Sequence, residues 1–286
     1  MKSFVNSCII LIIISCNPLL AQEGDNGYFV YLHGKKQYVL DEGKGEPTVV
    51  FLTGKGRPQT DFKKVYNKLK KTNHIFSYDR AGLGKSEIFR GERRVDTMAW
   101  ELHEVLSKAK IKPPYILVGH SLGSSVMRCF NNMYPNIVAG MIFIEPAHEF
   151  EFKYGMEIRN DSDKVVFRDD FKGYLKMPRQ TKAQIAEGKE CFDFDTTGFS
   201  TNQKILKGLK APSNIPVTLV ISMVPDVENN YIEKEMKYKL DYFENWKTIN
   251  PLTKIVTTTK SGYFIQKDEP ELILDQIYEM LSKIKK

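Results

Sequence analysis

Ser121 stands at the centre of Gly119-His120-Ser121-Leu122-Gly123, a G-x-S-x-G pentapeptide. An apolar run over 115–118 precedes it, and a helical pattern over 122–134 follows. A serine on such a tight strand-to-helix turn has its hydroxyl lifted above the sheet edge. The glycines two residues to either side let neighbouring backbone approach, and the helix N-terminus presents its dipole. The chemistry this predicts is nucleophilic attack on an acyl carbon, with the Leu122 amide donating to the oxyanion.

A serine hydroxyl is a poor nucleophile until a base takes its proton. The chain has five histidines, at 33, 74, 103, 120 and 148, and none follows the last predicted strand at 253–257. His33, His74 and His103 fall at a hairpin, a strand start and a helix, where structural roles suffice. His120 occupies the variable position of the pentapeptide, where a side chain packs away from the hydroxyl. His148 follows Ile144-Glu145-Pro146-Ala147 at the carboxyl end of a predicted strand, where α/β sites lie. It is a candidate displaced base, with Glu145 or Asp226 as its acid. The competing reading is that His148 only seats the segment that follows.

The elements that must position these residues alternate. Strands are predicted at 28–32, 37–40, 48–52, 74–78, 115–118, 141–144, 217–221 and 253–257. Helices are predicted at 61–70, 97–108, 122–134 and 231–246, and from Pro270 onward. This alternation predicts an α/β chain with a mostly parallel sheet covered on both faces. The rhythm breaks over 148–214, which is charged in both senses, weakly periodic and rich in rings such as Phe150, Phe152, Phe192 and Phe194. It reads as an inserted cap. The expected organisation is 1–21 signal peptide, 22–147 core, 148–214 cap or lid, and 215–286 core.

The amino terminus reads as an export signal. Lys2 supplies a positive charge, and residues 8–14 (C-I-I-L-I-I-I) form an apolar run too short for a membrane span, which needs about twenty residues. Leu20-Ala21 offers a cleavage site. In the competing reading, Ile13-Ile14-Ser15-Cys16 serves as a lipobox and Cys16 is lipidated. The first route predicts a periplasmic or extracellular protein. The second predicts a lipid anchor, and the membrane is a partner only then. Cys129 reads as a small buried apolar residue, and a Cys129–Cys191 disulfide is left open.

Composition narrows the classes further. With 286 residues, 42% hydrophobic and 27% charged, the chain can close a large globular core. Its net charge of +7 is modest, and the densest basic stretch (Lys63, Lys64, Lys68, Lys70, Lys71) reads as a solvated helix face, so no nucleic-acid partner is expected. No metal-spaced His/Cys cluster and no dinucleotide fingerprint occurs, so no cofactor is implied.

From about Tyr28 to the C-terminus the chain resembles the α/β-hydrolase family, with the cap as the poorly matched part. Thr53-Gly54-Lys55 stands where the family has a His-Gly pair before an oxyanion-hole amide, which carries that donor onto the Lys55 N–H. The stretch Asp79-Arg80-Ala81-Gly82-Leu83-Gly84-Lys85-Ser86 is similar to the family's loop after the following strand. Asp226, after the strand at 217–221, matches the position of the triad acid. Ser261-Gly262-Tyr263 with Asp268-Glu269-Pro270-Glu271 resembles the segment that carries the catalytic histidine, and Tyr263 holds that histidine's place. The resemblance thus implies a serine ester or acyl hydrolase acting on small molecules, with Ser121 as nucleophile and no cofactor. A phenol titrates near 10 and is a weak base at neutral pH. Loss of the base costs about 10⁶ in turnover in a serine protease. Weak or lost activity is expected, and a non-catalytic protein that binds a small ligand or a partner is the alternative.

Overall fold

The computed structural model describes residues 26–89, 91–175, 180–225 and 230–284. The expected signal at 1–21, with Cys16, lies outside these residues, and so does Asp226.

Eight strands form one sheet: β1 (Tyr28–Leu32), β2 (Lys35–Glu42), β3 (Thr48–Leu52), β4 (Ile75–Tyr78), β5 (Tyr115–His120), β6 (Val138–Ile144), β7 (Val217–Ser222) and β8 (Thr253–Thr258). Their order is β1-β2-β4-β3-β5-β6-β7-β8. β1 pairs antiparallel with β2, and β2 with β4; every other pairing is parallel. The helices are α1 (Lys63–Leu69), α2 (Val95–Lys108), α3 (Leu122–Met133), α4 (Glu151–Glu157), α5 (Asp161–Leu175), α6 (Lys182–Phe192), α7 (Thr201–Lys207), α8 (Ile232–Ile249), α9 (Ile265–Asp268) and α10 (Pro270–Ile284). This is the α/β-hydrolase fold, with the mostly parallel sheet that the alternating pattern predicts.

The central strands are apolar on both faces because both faces are covered. Val50 and Leu52 of β3, Leu117 of β5, and Met141 and Phe143 of β6 join a core with Met98 of α2, Phe130 of α3 and Phe243 of α8. The residues between them, Val49, Phe51, Ile116, Val118, Ile142 and Ile144, point to the other side. There they pack with Val65 and Leu69 of α1 and Ile273 and Ile277 of α10. Each such buried side chain contributes about 1.5–3 kcal/mol. The lysines of α1 fall on its outer side, with Lys63, Lys64 and Lys68 exposed.

Two local expectations are corrected. The helix predicted over 61–70 begins as a 3₁₀ turn, Gln59–Phe62, before α1. The insertion between β6 and β7, the cap, is helical rather than irregular, and carries α4 to α7. Capping boxes start two of these helices: Thr181 with Gln184 at α6, and Ser200 with Gln203 at α7. Short helices that bury residues against several neighbours show little single-stripe periodicity, so the pattern was weak. Arg128 on α3 ties the start of the cap to the core through Glu149, at 2.8 Å between two buried side chains. Cys129 on α3 is buried and Cys191 lies on α6; both are free thiols, so no bridge joins them. Among the described residues no helix is long and apolar enough to cross a membrane.

Candidate active site

The β5–α3 turn carries Ser121 at φ 51°, ψ −117°, a conformation that strains any residue with a Cβ. Two contacts hold it there. The Ser121 amide donates to the Ile144 carbonyl at 3.0 Å, and the Ser124 amide donates to the Ser121 carbonyl at 2.9 Å. The helix behind the turn lies close against β3. A Cβ on Gly123 would stand 2.2 Å from the Leu52 carbonyl oxygen, so only glycine fits there. Leu122 opens α3, which places its amide at the helix N-terminus beside the Ser121 hydroxyl.

The turn after β3 runs alongside. A Cβ on Gly54 would stand 3.5 Å from the Ser121 Cβ, so Thr53-Gly54-Lys55 borders the serine. The turn is closed by Arg57, whose amide donates to the Gly54 carbonyl at 3.2 Å and whose carbonyl accepts from Thr53 Oγ1 at 2.7 Å. Lys55 projects into the cavity described below, with its Nζ 4.8 Å from the centre of the Phe192 ring. Burial lowers its ammonium to about 8, against the opposing pull of Cys191 and Glu187.

Tyr263 lies between β8 and α9, and its hydroxyl donates a hydrogen bond to Ser121 Oγ. Its loop is held at three points. His120 Nε2 donates to the Tyr263 carbonyl at 2.9 Å, Ser222 Oγ donates to the Ser261 carbonyl at 2.7 Å, and Ser261 Oγ donates to Glu269 at 2.8 Å. Tyr263 is 50% exposed, and its accessible surface opens on the two cavities it lines. Desolvation there pushes the phenol above its usual value of 10, and the carboxylates of Glu151 and Glu145 add to the shift; the bond to Ser121 opposes it. The phenol is therefore protonated at neutral pH and acts as a donor to the serine.

The histidines are placed differently. His120 is buried, its pKa is lowered to about 4 chiefly by desolvation, and Nδ1 makes no hydrogen bond. It is a neutral ring with its proton on Nε2, spent on the Tyr263 carbonyl. His148 lines the same cavity as Ser121 but stacks on Tyr242 at 4.7 Å between centroids, and Tyr238 and Phe243 pack close by. Burial, with Lys239 and Arg128 nearby, lowers its pKa to about 3, and its Nδ1 has no hydrogen-bond partner. Ser121 Oγ is hydrogen-bonded by the Tyr263 hydroxyl, and no hydrogen bond between Ser121 and His148 occurs. Glu145, at φ 45° beyond β6, accepts from the Ser222 amide and pairs with Lys239 at 2.7 Å. Those bonds tie β6 to β7 and α8, and no imidazole is among its partners.

These side chains surround a cavity of about 440 Å³. The core contributes Ser121 and Tyr263, and the cap contributes His148, Phe152, Phe192 and Phe194. A neighbouring cavity of about 490 Å³ shares Tyr263, His148 and Glu151. Such a mainly apolar chamber with a few polar groups suits a small organic ligand. Among the described residues no group of three His, Cys, Asp or Glu could hold a metal ion.

Sequence reasoning missed the residue that links the cap to this site. Arg80, 2% exposed, pairs with Glu187 of α6, which is fully buried, at 2.8 Å. Arg80 belongs to the loop stretch singled out in the sequence. Glu187 gave no signal, because nothing local marks which of the cap's many acids turns inward.

The family model described as alpha/beta hydrolase fold matches residues 47–172. The uncharacterized Bacillus subtilis protein YbdG is 36% identical over 121 residues, which cover 42% of this chain and 37% of that protein. The chain spans less than half the length of the curated relatives it matches first. An epoxide hydrolase, CorEH, superposes with a TM-score of 0.64 at 15% identity, over 90% of this chain and 99% of that one. A thermophilic esterase from Thermogutta terrifontis superposes at 0.60 with 15% identity, over 90% and 98%. At such identities the likeness to these solved structures shows the fold alone.

Proposed function

We propose that this chain is an exported serine-hydrolase-type protein whose capped cavity binds a small apolar ester or acyl compound at Ser121, and that its turnover is weak or lost. The observation that carries the reading is the hydrogen bond from the Tyr263 hydroxyl to Ser121 Oγ. A general base would stand where this donor stands. The serine must lose its proton as Oγ bonds to the acyl carbon, and a protonated phenol that already donates to Oγ cannot accept it. Oxyanion donors and ligand binding alone leave about 10³–10⁴ over water. Lys55 and Leu122 supply the candidate oxyanion amides, and Asp226 remains the candidate acid by its place after β7.

A second reading is favoured by one observation: His148 lines the same cavity with an unpartnered Nδ1. In that reading a rearranged His148 takes the proton. Export rests on Lys2 and the apolar run at 8–14; the amino-terminal residue of the protein recovered outside the cytosol separates cleavage after Ala21 from lipidation at Cys16.

The test is to incubate the mature protein and Ser121→Ala with a fluorophosphonate probe and short activated esters. Slow labelling confined to Ser121, with ester turnover near the Ser121→Ala background, is expected. Rapid turnover abolished by Ser121→Ala would overturn the weak-catalysis reading, and no labelling at all would end the acyl-transfer reading.

A further inference from the structure

We propose that the cap helix α6 positions the candidate oxyanion turn, with Glu187 and Gln184, together with Arg80, acting as positioning residues for the Lys55 amide. For its catalytic consequence the inference rests on the acyl-transfer reading above; for the placement of the turn it rests on hydrogen bonds alone.

The Lys55 N–H shares a peptide unit with the Gly54 carbonyl. In a trans peptide the two point in opposite directions, so fixing the carbonyl aims the amide. Arg80 Nη2 donates to the Gly54 carbonyl at 2.7 Å, and Nη1 donates to the Thr53 carbonyl at 2.7 Å. The next peptide unit joins the Lys55 carbonyl to the Gly56 N–H, and that N–H donates to Glu187 Oε2 at 2.7 Å. Both peptide planes flanking Lys55 are thus held, one by Arg80 and one by Glu187. The two holders are bonded to each other, Nε to Oε1 at 2.8 Å and Nη2 to Oε2 at 3.0 Å.

Gln184 adds a third point, since its Nε2 donates to the Gly56 carbonyl at 3.1 Å. Residues 184 and 187 lie three apart on α6 and face the same way. Gly56 sits at φ +67°, and a Cβ there would approach Gln184 Cγ to 3.1 Å, so the turn and the helix are in direct contact. One residue earlier on the same helix, Ala183 packs on Gly82, where an added Cβ would come within 2.4 Å of the Ala183 Cβ.

Stability does not call for this arrangement. Replacing a buried ion pair by packed apolar residues is often neutral or stabilising. What a bidentate pair supplies is direction, and an oxyanion donor works only when it is held in place before the charge develops. A misplacement of about 1 Å can cost about 10²-fold in rate. Glu187 stays ionised and so keeps accepting from both partners. Burial alone would raise its pKa, but the charge and hydrogen bonds of Arg80 and the Gly56 amide hold it below the usual carboxylate range.

The experiment compares the wild type with Arg80→Met/Glu187→Met, reading three quantities. These are thermal midpoint, the rate of fluorophosphonate labelling at Ser121, and backbone amide exchange over residues 53–57. The double variant is expected to fold with a lowered midpoint, since the Gly56 N–H and the Thr53 carbonyl lose these partners while the ion pair itself is replaced at little cost. Its labelling rate should fall by about 10-fold or more, since a single lost oxyanion donor costs about 10²–10³. Exchange over 53–57 should quicken, because the two peptide planes flanking Lys55 lose their holders. A folded double variant with wild-type exchange and wild-type labelling overturns the inference. If the wild type does not label at all, quickened exchange in the variant still supports the positioning, and the acyl-transfer reading alone has failed. Should the double variant not fold, Gln184→Ala leaves the ion pair intact and removes the donor to Gly56; faster exchange over 53–57 supports the inference and unchanged exchange overturns it.

Discussion

The hydroxyls of Tyr263 and Ser121 are bonded to each other, with the phenol as donor. What matters for the chemistry is that the phenol is protonated, since a neutral phenol cannot take the serine proton. A base at this place would accept the serine proton and enrich Oγ; a donor withdraws density from it. Desolvation keeps the phenol protonated well beyond neutral pH, so raising the pH within the physiological range does not reverse the direction.

Substitution at 263 separates a missing base from a missing site. Tyr263→His places an imidazole beside Ser121, and a positioned general base is worth about 10²–10⁴ in rate. Ester turnover is expected to rise by at least about 10²-fold, and Tyr263→Phe should label with fluorophosphonate no slower than the wild type. Loss of labelling in Tyr263→Phe would make the phenol a participant in the chemistry.

The elbow conformation has a measurable energy. At φ 51°, ψ −117°, a Cβ is strained, and sparsely populated backbone of this kind costs about 1–3 kcal/mol. Ser121→Gly relieves that strain and Ser121→Ala keeps it. Glycine gives back part of the gain through the entropy of the unfolded chain, about 0.5–1 kcal/mol. Ser121→Gly should therefore be the more stable of the two by about 1 kcal/mol in denaturant unfolding. Equal stabilities would mean that the turn is not under strain.

Much of the fold was legible because both of its signals are local. Apolar runs at 48–52, 115–118 and 141–144 mark strands buried on two faces, and the pentapeptide around Ser121 sits between such a run and a helix. The place of Tyr263 beside Ser121 was implied by the resemblance to the α/β-hydrolase family, in which the segment after the last strand carries the catalytic histidine. What was not legible depends on pairs distant in sequence. Glu187 meets Arg80 across 107 residues, and His120 spends its proton on a carbonyl 143 residues away. Arg80 and His120 lie in motifs the sequence marks, but nothing local marks Glu187 or the Tyr263 carbonyl as their partners. The cap's helices were hidden for a different reason: their starts rest on side-chain capping at Thr181 and Ser200, while their apolar residues are divided among several neighbours.

Close packing between the elbow helix and β3 gives a third prediction. The Cβ of Gly123→Ala would lie 2.2 Å from the Leu52 carbonyl oxygen and 2.6 Å from its carbon. Both are backbone atoms of a central strand and cannot turn aside as a side chain would. Overpacking costs typically about 1–3 kcal/mol, and a backbone clash belongs at or above the upper end. Gly123→Ala should lose about 3 kcal/mol or more and show a lowered thermal midpoint. A midpoint within about 2 °C of wild type would mean that α3 can shift away from β3 freely.

His148 provides the last prediction, because its burial links pH to stability. Desolvation is the largest cause of its lowered pKa, about 3, and Lys239 and Arg128 add to it. The unfolded chain takes up this proton as pH falls below about 6.5, while the folded chain resists until about 3. Between those limits the unfolded state binds more protons, so stability falls as pH falls, by about 1.4 kcal/mol per pH unit for each such histidine. His120 contributes in the same sense down to about 4, and Glu187, held below the usual carboxylate range, adds a loss at the acid end. Those contributions are common to wild type and His148→Phe and cancel in the difference. Phenylalanine fits a site walled by Tyr238, Tyr242 and Phe243 and takes no proton. In unfolding free energies measured at pH 6, 5 and 4, the variant should therefore lose about 1.4 kcal/mol less per pH unit than the wild type. Parallel slopes would show that His148 is protonated in the fold. The same variant decides the base: Ser121 labelling unchanged by His148→Phe leaves this ring a structural one, and labelling reduced to the Ser121→Ala background makes it the proton acceptor.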